Sequence, residues 1–458
     1  MKIVLISTYE LGRQPFGLAS PGAWLGQRGH KVECIDLSRQ PFDDSVIRSA
    51  GLVAFYVPMH TAARLAIPLL EPLRRMNPDA HICFYGLYAP MNEAHLRAMG
   101  AETILGGEFE EGLVHLAGRL AANGTPGPRR MKAQEEPVIH LARQKFILPE
   151  RRGLPPLREY AHLNLPNGEH RIAGYTEASR GCKHLCRHCP IVPVYKGVFR
   201  IVDREVVLAD IRQQAAAGAQ HITFGDPDFF NGPGHAMAIV KELHREFPRL
   251  TYDVTIKIEH LLKHEEHLAA LRDTGCLFVT SAVESIDDDV LERLDKGHTR
   301  ADFLEVVRAF RRLELTFQPT FVPFTPWTRL EDYMEMLDVL LEQDLVGNVA
   351  PIQLAIRLLI PAGSRLLELD EVQRIAGPYD PQALVHPWKH SDRRVDALCE
   401  EVQQIAATCE KLKRPRHAAF ERIFRAAQKA AGREEEAASP PAFPVRAAIP
   451  HLSEPWYC

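Results

Sequence analysis

Short apolar runs alternate with stretches of helical periodicity twice along this chain, and no other feature restricts its fold as strongly. In the first series, KIVLIST (2–8), HKVECIDLS (30–38), GLVAFYVP (51–58), AHICFYG (80–86) and AETILGG (101–107) read as buried strands. Between and after them, TAARLAIPLLEPLRRM and EEGLVHLAGRL carry apolar residues at helical spacing. Strands joined in this way by helices make an α/β unit over residues 1–120, a Rossmann-like doubly wound parallel sheet of about five strands. Its ligand crevice is expected at the carboxyl ends of the strands.

Residues 121–170 lose all periodicity and are dense in proline, glycine and charge, as in ANGTPGPRRMKAQEEP. Such a stretch reads as a linker that wraps a neighbouring unit. The second series follows within residues 171–370. Its candidate strands are GYTEAS (174–179), HITFG (221–225), YDVTIKI (252–258), LFVTSAV (277–283), TFQPTFVPF (316–324) and PIQLAIR (351–357). Helical patterns such as REVVLADIRQQAAAG and EDYMEMLDVLLEQD fill the gaps. Six β/α repeats predict a partial (β/α)6 TIM-type barrel. A helical region (371–432) comes next, its apolar face interrupted by KLKRPRH, and then a charged, proline-rich tail (433–458) that reads as a solvated tether.

The chain is 46% hydrophobic and 25% charged, with a net charge of −4, which offers no general attraction to nucleic acid. No apolar run approaches the roughly 20 residues of a membrane span, and the start MKIVLIST lacks the pattern of a signal peptide. These features predict a cytoplasmic protein. In that setting nine cysteines are metal ligands, catalytic thiols or packing residues rather than disulfides. Cys34, Cys83, Cys276, Cys399 and Cys409 lie apart in apolar or helical surroundings and read as buried structural thiols.

The remaining cysteines do not. SRGCKHLCRHCP (179–190) gathers Cys182, Cys186 and Cys189 on the loop after the first barrel strand, the face where barrel active sites are built. Structural zinc takes four ligands, and no second Cys/His pair at finger spacing follows. A cubane iron–sulfur cluster takes one thiolate per iron, so three leave one iron open to an outside ligand.

This Cys-x3-Cys-x2-Cys loop, with His188 at the aromatic position before the last cysteine, resembles the signature of radical S-adenosylmethionine enzymes. The resemblance extends over roughly residues 170–370. It implies a 4Fe-4S cluster on Cys182, Cys186 and Cys189, with S-adenosylmethionine chelating the fourth iron. One electron from the cluster then cleaves a carbon–sulfur bond to release a 5′-deoxyadenosyl radical. A reductant such as flavodoxin or ferredoxin is implied as the electron source.

The same resemblance assigns further positions. In FGDPDFF (224–230), Gly225, Asp226 and Asp228 stand where the family has a Gly-Gly-Glu motif for the methionine amino group, a looser match. Glu284 and Ser285 of AVES resemble the ribose-binding positions, and LLIPAGS (358–364) resembles the stretch packed on adenine. The bland readings are turn chemistry for Asp226 and Asp228 around Pro227, and a helix cap for Glu284. Lys257, Glu259 and His260 of KIEHLL offer substrate-side groups but read better as a solvated loop, and LDKGHT (294–299) is either a cofactor-supporting loop or a helix stop and restart. Gln318 and Arg357 join Lys257 and His260 as barrel-mouth residues able to line a pocket.

A Rossmann-like domain ahead of such a barrel resembles the cobalamin-dependent class of these enzymes, many of them methyltransferases. ILGGEFEEGLVHL (104–116), with Gly106, Gly107 and Glu108, resembles the end of its cobalamin domain. The Asp-x-His-x-x-Gly motif that supplies an axial histidine is absent, since STYELGRQ (7–14) follows the first strand; His60 is a lone histidine at a strand end. Cobalamin bound here would lack that histidine, and the alternative is a domain that only covers the barrel.

The ending EPWYC resembles a subgroup whose tails read Cys-Cys-Ala-Glu-Pro, or the same with selenocysteine second. That resemblance implies a selenoprotein read only as far as its first cysteine, Cys458, with a redox-active catalytic thiol carried to the barrel mouth. The expected function is cobalamin-dependent methyl transfer, or related radical chemistry, on a small metabolite. The alternative is sulfur or selenium chemistry through the tail without cobalamin. A tRNA methylthiotransferase would need a second three-cysteine cluster in the first domain, which Cys34 and Cys83 alone do not supply.

Overall fold

A computed structural model describes residues 1–122, 136–433 and 449–454. In the first unit, strands β1 (Lys2–Ser7), β2 (Lys31–Asp36), β3 (Leu52–Tyr56), β4 (His81–Tyr85), β5 (Thr103–Gly107) and β6 (Ile139–His140) form one parallel sheet in the order β2-β1-β3-β4-β5-β6. Alternate residues of the apolar runs serve the two faces, as the pleat requires. Ile3, Leu5, Leu52 and Ala54 pack with Leu18, Leu113 and Leu116 on one side. Val4, Ile6, Val53 and Phe55 pack with Leu70, Leu73 and Leu96 on the other. The sixth strand was not expected. It comes from the wrapping linker, where Ile139 and His140 pair with Gly106 and Gly107.

The second unit is a curled sheet. Its members are β7 (His162–Asn164), β8 (His170–Thr176), β11 (His221–Phe224), β12 (Thr251–Thr255), β13 (Cys276–Glu284), β14 (Thr316–Phe321) and β15 (His451–Leu452). Between β8 and β11 lies a separate antiparallel pair, β9 (Ser179–Gly181) with β10 (Phe199–Ile201). The order is β14-β13-β12-β11-β8-β7-β15, parallel from β8 to β14 and antiparallel at β7 and β15. The large apolar core lies between these strands and their helices, with Phe224, Tyr252, Phe303, Phe310, Phe321 and Phe324 all fully buried.

The expected strand 351–357 is a 3-10 turn (Pro351–Leu354) with a single bridge between Phe324 and Arg357. Its backbone is displaced from the ladder by a side chain: the amide oxygen of Gln353 accepts from the Phe321 N–H at 3.2 Å. The half-barrel is closed instead by the tail. β15 pairs with β7 on one edge, while Pro450 O accepts from Gln318 Nε2 of β14 at 2.6 Å on the other. The helices Arg393–Lys411 and Arg416–Ala430, separated where KLKRPRH predicts a break, seal the outside with Leu398, Val402, Ile405, Phe420 and Phe424.

Candidate active site

The cysteine loop leaves β9 and is fastened at several points. Arg187 N–H donates to Leu294 O at 2.9 Å, and its guanidinium donates to the carbonyls of Glu292 and Arg293. Asn231 Oδ1 accepts from Lys183 N–H and lies 3.9 Å from Cys182 Sγ. Cys186 is buried and its two partners are half-buried. Burial pushes the thiols of Cys182 and Cys189 up to about 11 and about 12, and negative charge on the neighbouring cysteines adds to the rise. Three thiols gathered in a held loop fit a thiolate-bound cluster, whose assembly must release protons. Lys296, buried and facing Cys186 and Cys189, supplies positive charge beside them.

Glu284 sits at the end of β13 in the left-handed region, φ +68, where the register with β14 shifts. Such a backbone is costly for a glutamate and is held only by its surroundings. Its Oε1 lies 3.0 Å from His188 Nε2 and 3.3 Å from Lys296 Nζ. It does not cap the following helix; Asp287 does. Burial alone would raise its pKa, but Lys296 and His188 outweigh burial and hold it at about 2. The folded carboxyl therefore binds its proton less readily than the unfolded one. Stability is contributed above the ordinary value near 4.5 and lost as pH falls toward 2. In urea titrations of the metal-free chain, Glu284→Gln is expected to remove about 3 kcal/mol of this acid-side dependence. Equal slopes for both proteins across this window would rule the assignment out.

Asp226 and Asp228 part company. Asp226 accepts from Ala178 N–H (2.8 Å) and Ser179 Oγ–H (2.5 Å), which ties the end of β11 to the turn before the cysteine loop. Burial pushes its carboxyl up to about 7. Asp228 caps Phe230 N–H and faces His260 Nδ1 at 2.6 Å and His184 Nε2 at 3.4 Å. Burial opposes its charge, yet the two rings hold its pKa below the ordinary value. Cys182, His184 and Asp228 bring their ligating atoms within 4.8 Å of one another. Gly225 has no room for a side chain, because a Cβ there would overlap the Tyr175 hydroxyl and ring. Gly225→Ala is expected to cost about 3 kcal/mol by overpacking, partly recovered in the double variant with Tyr175→Ala, as measured by urea unfolding.

Lys257 and His260 correct the solvated-loop expectation, whereas the Glu259 side chain stays 42% exposed. Ile258–Lys263 is helical, Lys257 and His260 are buried, and Lys257 Nζ lies 3.1 Å from His184 Nδ1 and 3.3 Å from Glu259 Oε2. LDKGHT is a helix stop and restart: one helix stops at Arg293, another restarts at Arg300, and Lys296 and His298 are buried between them. Neither ring nitrogen of His298 has a hydrogen-bond partner among the described residues. Burial, then the charges of Lys296 and Lys257, push it down to about 4. Ser285 Oγ accepts from Asp287 N–H in a turn. Arg357 turns away to Asp396 and the face of Trp388. Residues 358–364 place Leu358 and Ile360 in a small apolar cluster with Val290, Leu294 and Trp388.

On the first domain, the space beside Gly106 is filled by Pro90, and that beside Gly107, φ +71, by His140 O and Leu141. Glu108 is buried against the barrel, 3.5 Å from Arg180 Nη1 and 3.3 Å from Tyr195 Oη. Burial pushes it up to about 7 despite Arg180. Sequence reading missed Arg180, a residue that joins the two units. Its Nη2 lies 2.7 Å from Glu110 and its Nε 2.6 Å from Glu177, over the rings of Phe16, Phe109 and Phe146. Nothing in the local pattern marks it, since Glu108 and Glu110 lie 72 and 70 positions away.

At the carboxyl end of β1, where the strand order switches direction, Ser7 Oγ and Glu10 Oε2 are buried without a hydrogen-bond partner among the described residues. Such groups suit the amide-rich rim of a corrin at a topological switch point. His60 is taken by the carbonyl of Ala383 at 2.6 Å. Cys458 lies outside the described residues.

Comparison with known proteins agrees with this geometry. Hopanoid C-3 methylase of Methylococcus capsulatus is 23% identical over 327 residues, 69% of this chain and 62% of that protein. The tRNA-2-methylthio-N(6)-dimethylallyladenosine synthase of Chlorobium luteolum is 27% identical over 183 residues, 38% of this chain and 40% of that one. The chain thus spans less than two thirds of either relative. Among solved structures, the cobalamin-dependent S-adenosylmethionine radical enzyme OxsB, solved with aqua-cobalamin and S-adenosylmethionine, superposes with a TM-score of 0.69 at 15% identity, covering 89% of this chain and 67% of that one. TsrM of Kitasatospora setae, a radical S-adenosylmethionine methyltransferase solved with tryptophan and a cofactor analogue, gives 0.59 at 19% identity, covering 75% and 71%. These likenesses show a shared fold, a Rossmann-like sheet followed by a curled half-barrel. The sequence pattern of the Radical SAM superfamily matches residues 176–337, from the end of β8 through β14 and into the helix that follows. With the cysteine loop inside that match, this chain carries a radical SAM domain.

Proposed function

We propose that the protein is a cobalamin-dependent radical enzyme that transfers a methyl group to a small metabolite. The observation that carries this reading is the placement of the cysteine loop. It lies at the carboxyl end of the half-barrel, and β9 is locked through Arg180 to the carboxyl end of the Rossmann-like sheet. When bound, a 4Fe-4S cluster supplies the electron that cleaves S-adenosylmethionine, and cobalamin supplies a methyl carrier. Cys182, Cys186 and Cys189 hold the first group, and Lys296 and Glu284 set the charge beside it. Ser7 and Glu10 offer polar contacts to the second. The methylase and methyltransferase names among the relatives support methyl transfer.

Anaerobic reconstitution with iron, sulfide and hydroxocobalamin, followed by desalting and metal analysis, tests the reading. About four irons per chain with stoichiometric cobalt are expected. The same iron without cobalt would overturn the cobalamin assignment and leave the first domain as a cover.

A second reading, sulfur or selenium chemistry through the tail, draws support from the seam of the barrel. His451 and Leu452 line its interior, so the chain enters the tail beside the lumen. Loss of product with intact iron in a Cys458→Ala variant would favour it over methyl transfer by cobalamin.

A further inference from the structure

Inward positions of the half-barrel alternate by two along each strand, and together they line a lumen that the cysteine loop does not use. Asp253 and Thr255 of β12, Thr280 of β13 and Gln318 of β14 face it, along with Arg13 from the loop after β1 and Arg416 from the last helix. The wall is mostly neutral: hydroxyls, amides and a few apolar groups such as Phe278. Three groups that carry charge stand out. Asp253 is already engaged, its Oδ1 accepting from Thr223 Oγ1 at 2.6 Å and lying 2.9 Å from His221 Nε2.

The two arginines are not engaged in that sense. Arg416 donates to the carbonyl of Gly347 at 2.8 Å and makes no ion pair among the described residues. Burial with no compensating charge lowers its pKa to about 10. Arg13 lies over the ring of Tyr175, 4.9 Å from its centroid, and its buried Nε has no hydrogen-bond partner among the described residues. It too makes no ion pair among the described residues, unlike Arg151 and Arg180 nearby, which are fully committed to Asp210 and to glutamates. A guanidinium drawn from water without an ion pair is costly to keep; Arg416 is such a group, and Arg13, half-buried and in the field of Glu10, faces the same lumen. Planar guanidinium forks match carboxylates best. The pair also comes from the two sides of the barrel seam. Arg13 sits against β8, whereas Arg416 is held at Gly347, beside Asn348, whose side chain donates to Phe317 O of β14.

We propose that this lumen is the binding site of a carboxylate-bearing small molecule, whose anionic group is held by Arg416 and Arg13 while its body extends past Thr280 and Thr255 toward the cysteine loop. This names the substrate class for the function proposed above and rests on that reading. Gln318 and Asp253 then choose among carboxylates by what else the molecule carries, an amine facing Asp253 being the best match.

The test uses the reconstituted full chain with acetate, succinate, glutarate, glutamate and their amides as probes, read by thermal midpoint and by equilibrium dialysis. At least one carboxylate is expected to bind, its amide to bind at least about tenfold more weakly, and Arg416→Gln and Arg13→Gln to lose the preference. Arg416→Lys, which keeps the charge without the fork, should recover part of it. Unchanged midpoints of the variants without probe would show that they fold. The same samples are assayed for 5′-deoxyadenosine from S-adenosylmethionine with dithionite. A carboxylate that binds is expected to raise that yield. Cleavage without any carboxylate binding, or binding equally strong to amides or in both arginine variants, would overturn the lumen site. Carboxylate binding in a chain that never cleaves S-adenosylmethionine would leave the site standing and overturn its assignment as the substrate site of a radical enzyme.

Discussion

Cys186→Ser protein, reconstituted beside the wild type, is expected to hold little iron and to form 5′-deoxyadenosine more than about 100-fold more slowly, beyond the effect typical of losing an outer-shell partner. Cys186 is the buried member of the three, in the middle of a loop that Arg187 fastens to the end of a helix. Serine keeps the shape but gives an alkoxide ligand far harder to form than a thiolate. The control is Cys276→Ser, at a cysteine buried on β13 whose thiol donates to Phe278 O. It should lose stability and keep its iron. Iron content measured anaerobically on both variants separates a ligand from a packing residue.

Arg180→Met is expected to cost about 3–5 kcal/mol, the range for breaking a buried ion pair by removing one partner. The side chain is 7% exposed and faces Glu108, Glu110 and Glu177, so its loss leaves buried carboxylates without a cation. It also stands two residues before Cys182, on the strand that presents the cysteine loop. Lower iron occupancy should therefore accompany the lost stability. Pairing the substitution with Glu110→Gln should cost less than the sum of the two single changes, because the second change removes a charge that the first one strands. Urea unfolding of the four proteins measures both effects. Strict additivity would mean that the network does not join the two units.

What was legible in the sequence is what local pattern encodes. KIVLIST and GLVAFYVP are buried on both faces, so their apolar runs gave strands directly, and three cysteines within eight residues marked one loop. What was not legible depends on partners far along the chain. PIQLAIR has the composition of a strand, but the Gln353 side chain takes the Phe321 N–H and the backbone turns instead. KIEHLL looked solvated because it is polar, and is buried because His260 and Lys257 find Asp228 and His184 across the barrel mouth. Arg13 and Arg416 lie 403 positions apart and line one lumen only because the fold brings both sides of the half-barrel seam to it.

The central claim is that the three cysteines hold a cluster with one iron open to S-adenosylmethionine. The electron paramagnetic resonance spectrum of the reconstituted, dithionite-reduced chain, recorded with and without S-adenosylmethionine, tests it most directly. A reduced 4Fe-4S signal whose g values shift when S-adenosylmethionine is added is the predicted result. A signal that the addition leaves unchanged, or a colourless protein that holds zinc, would contradict it.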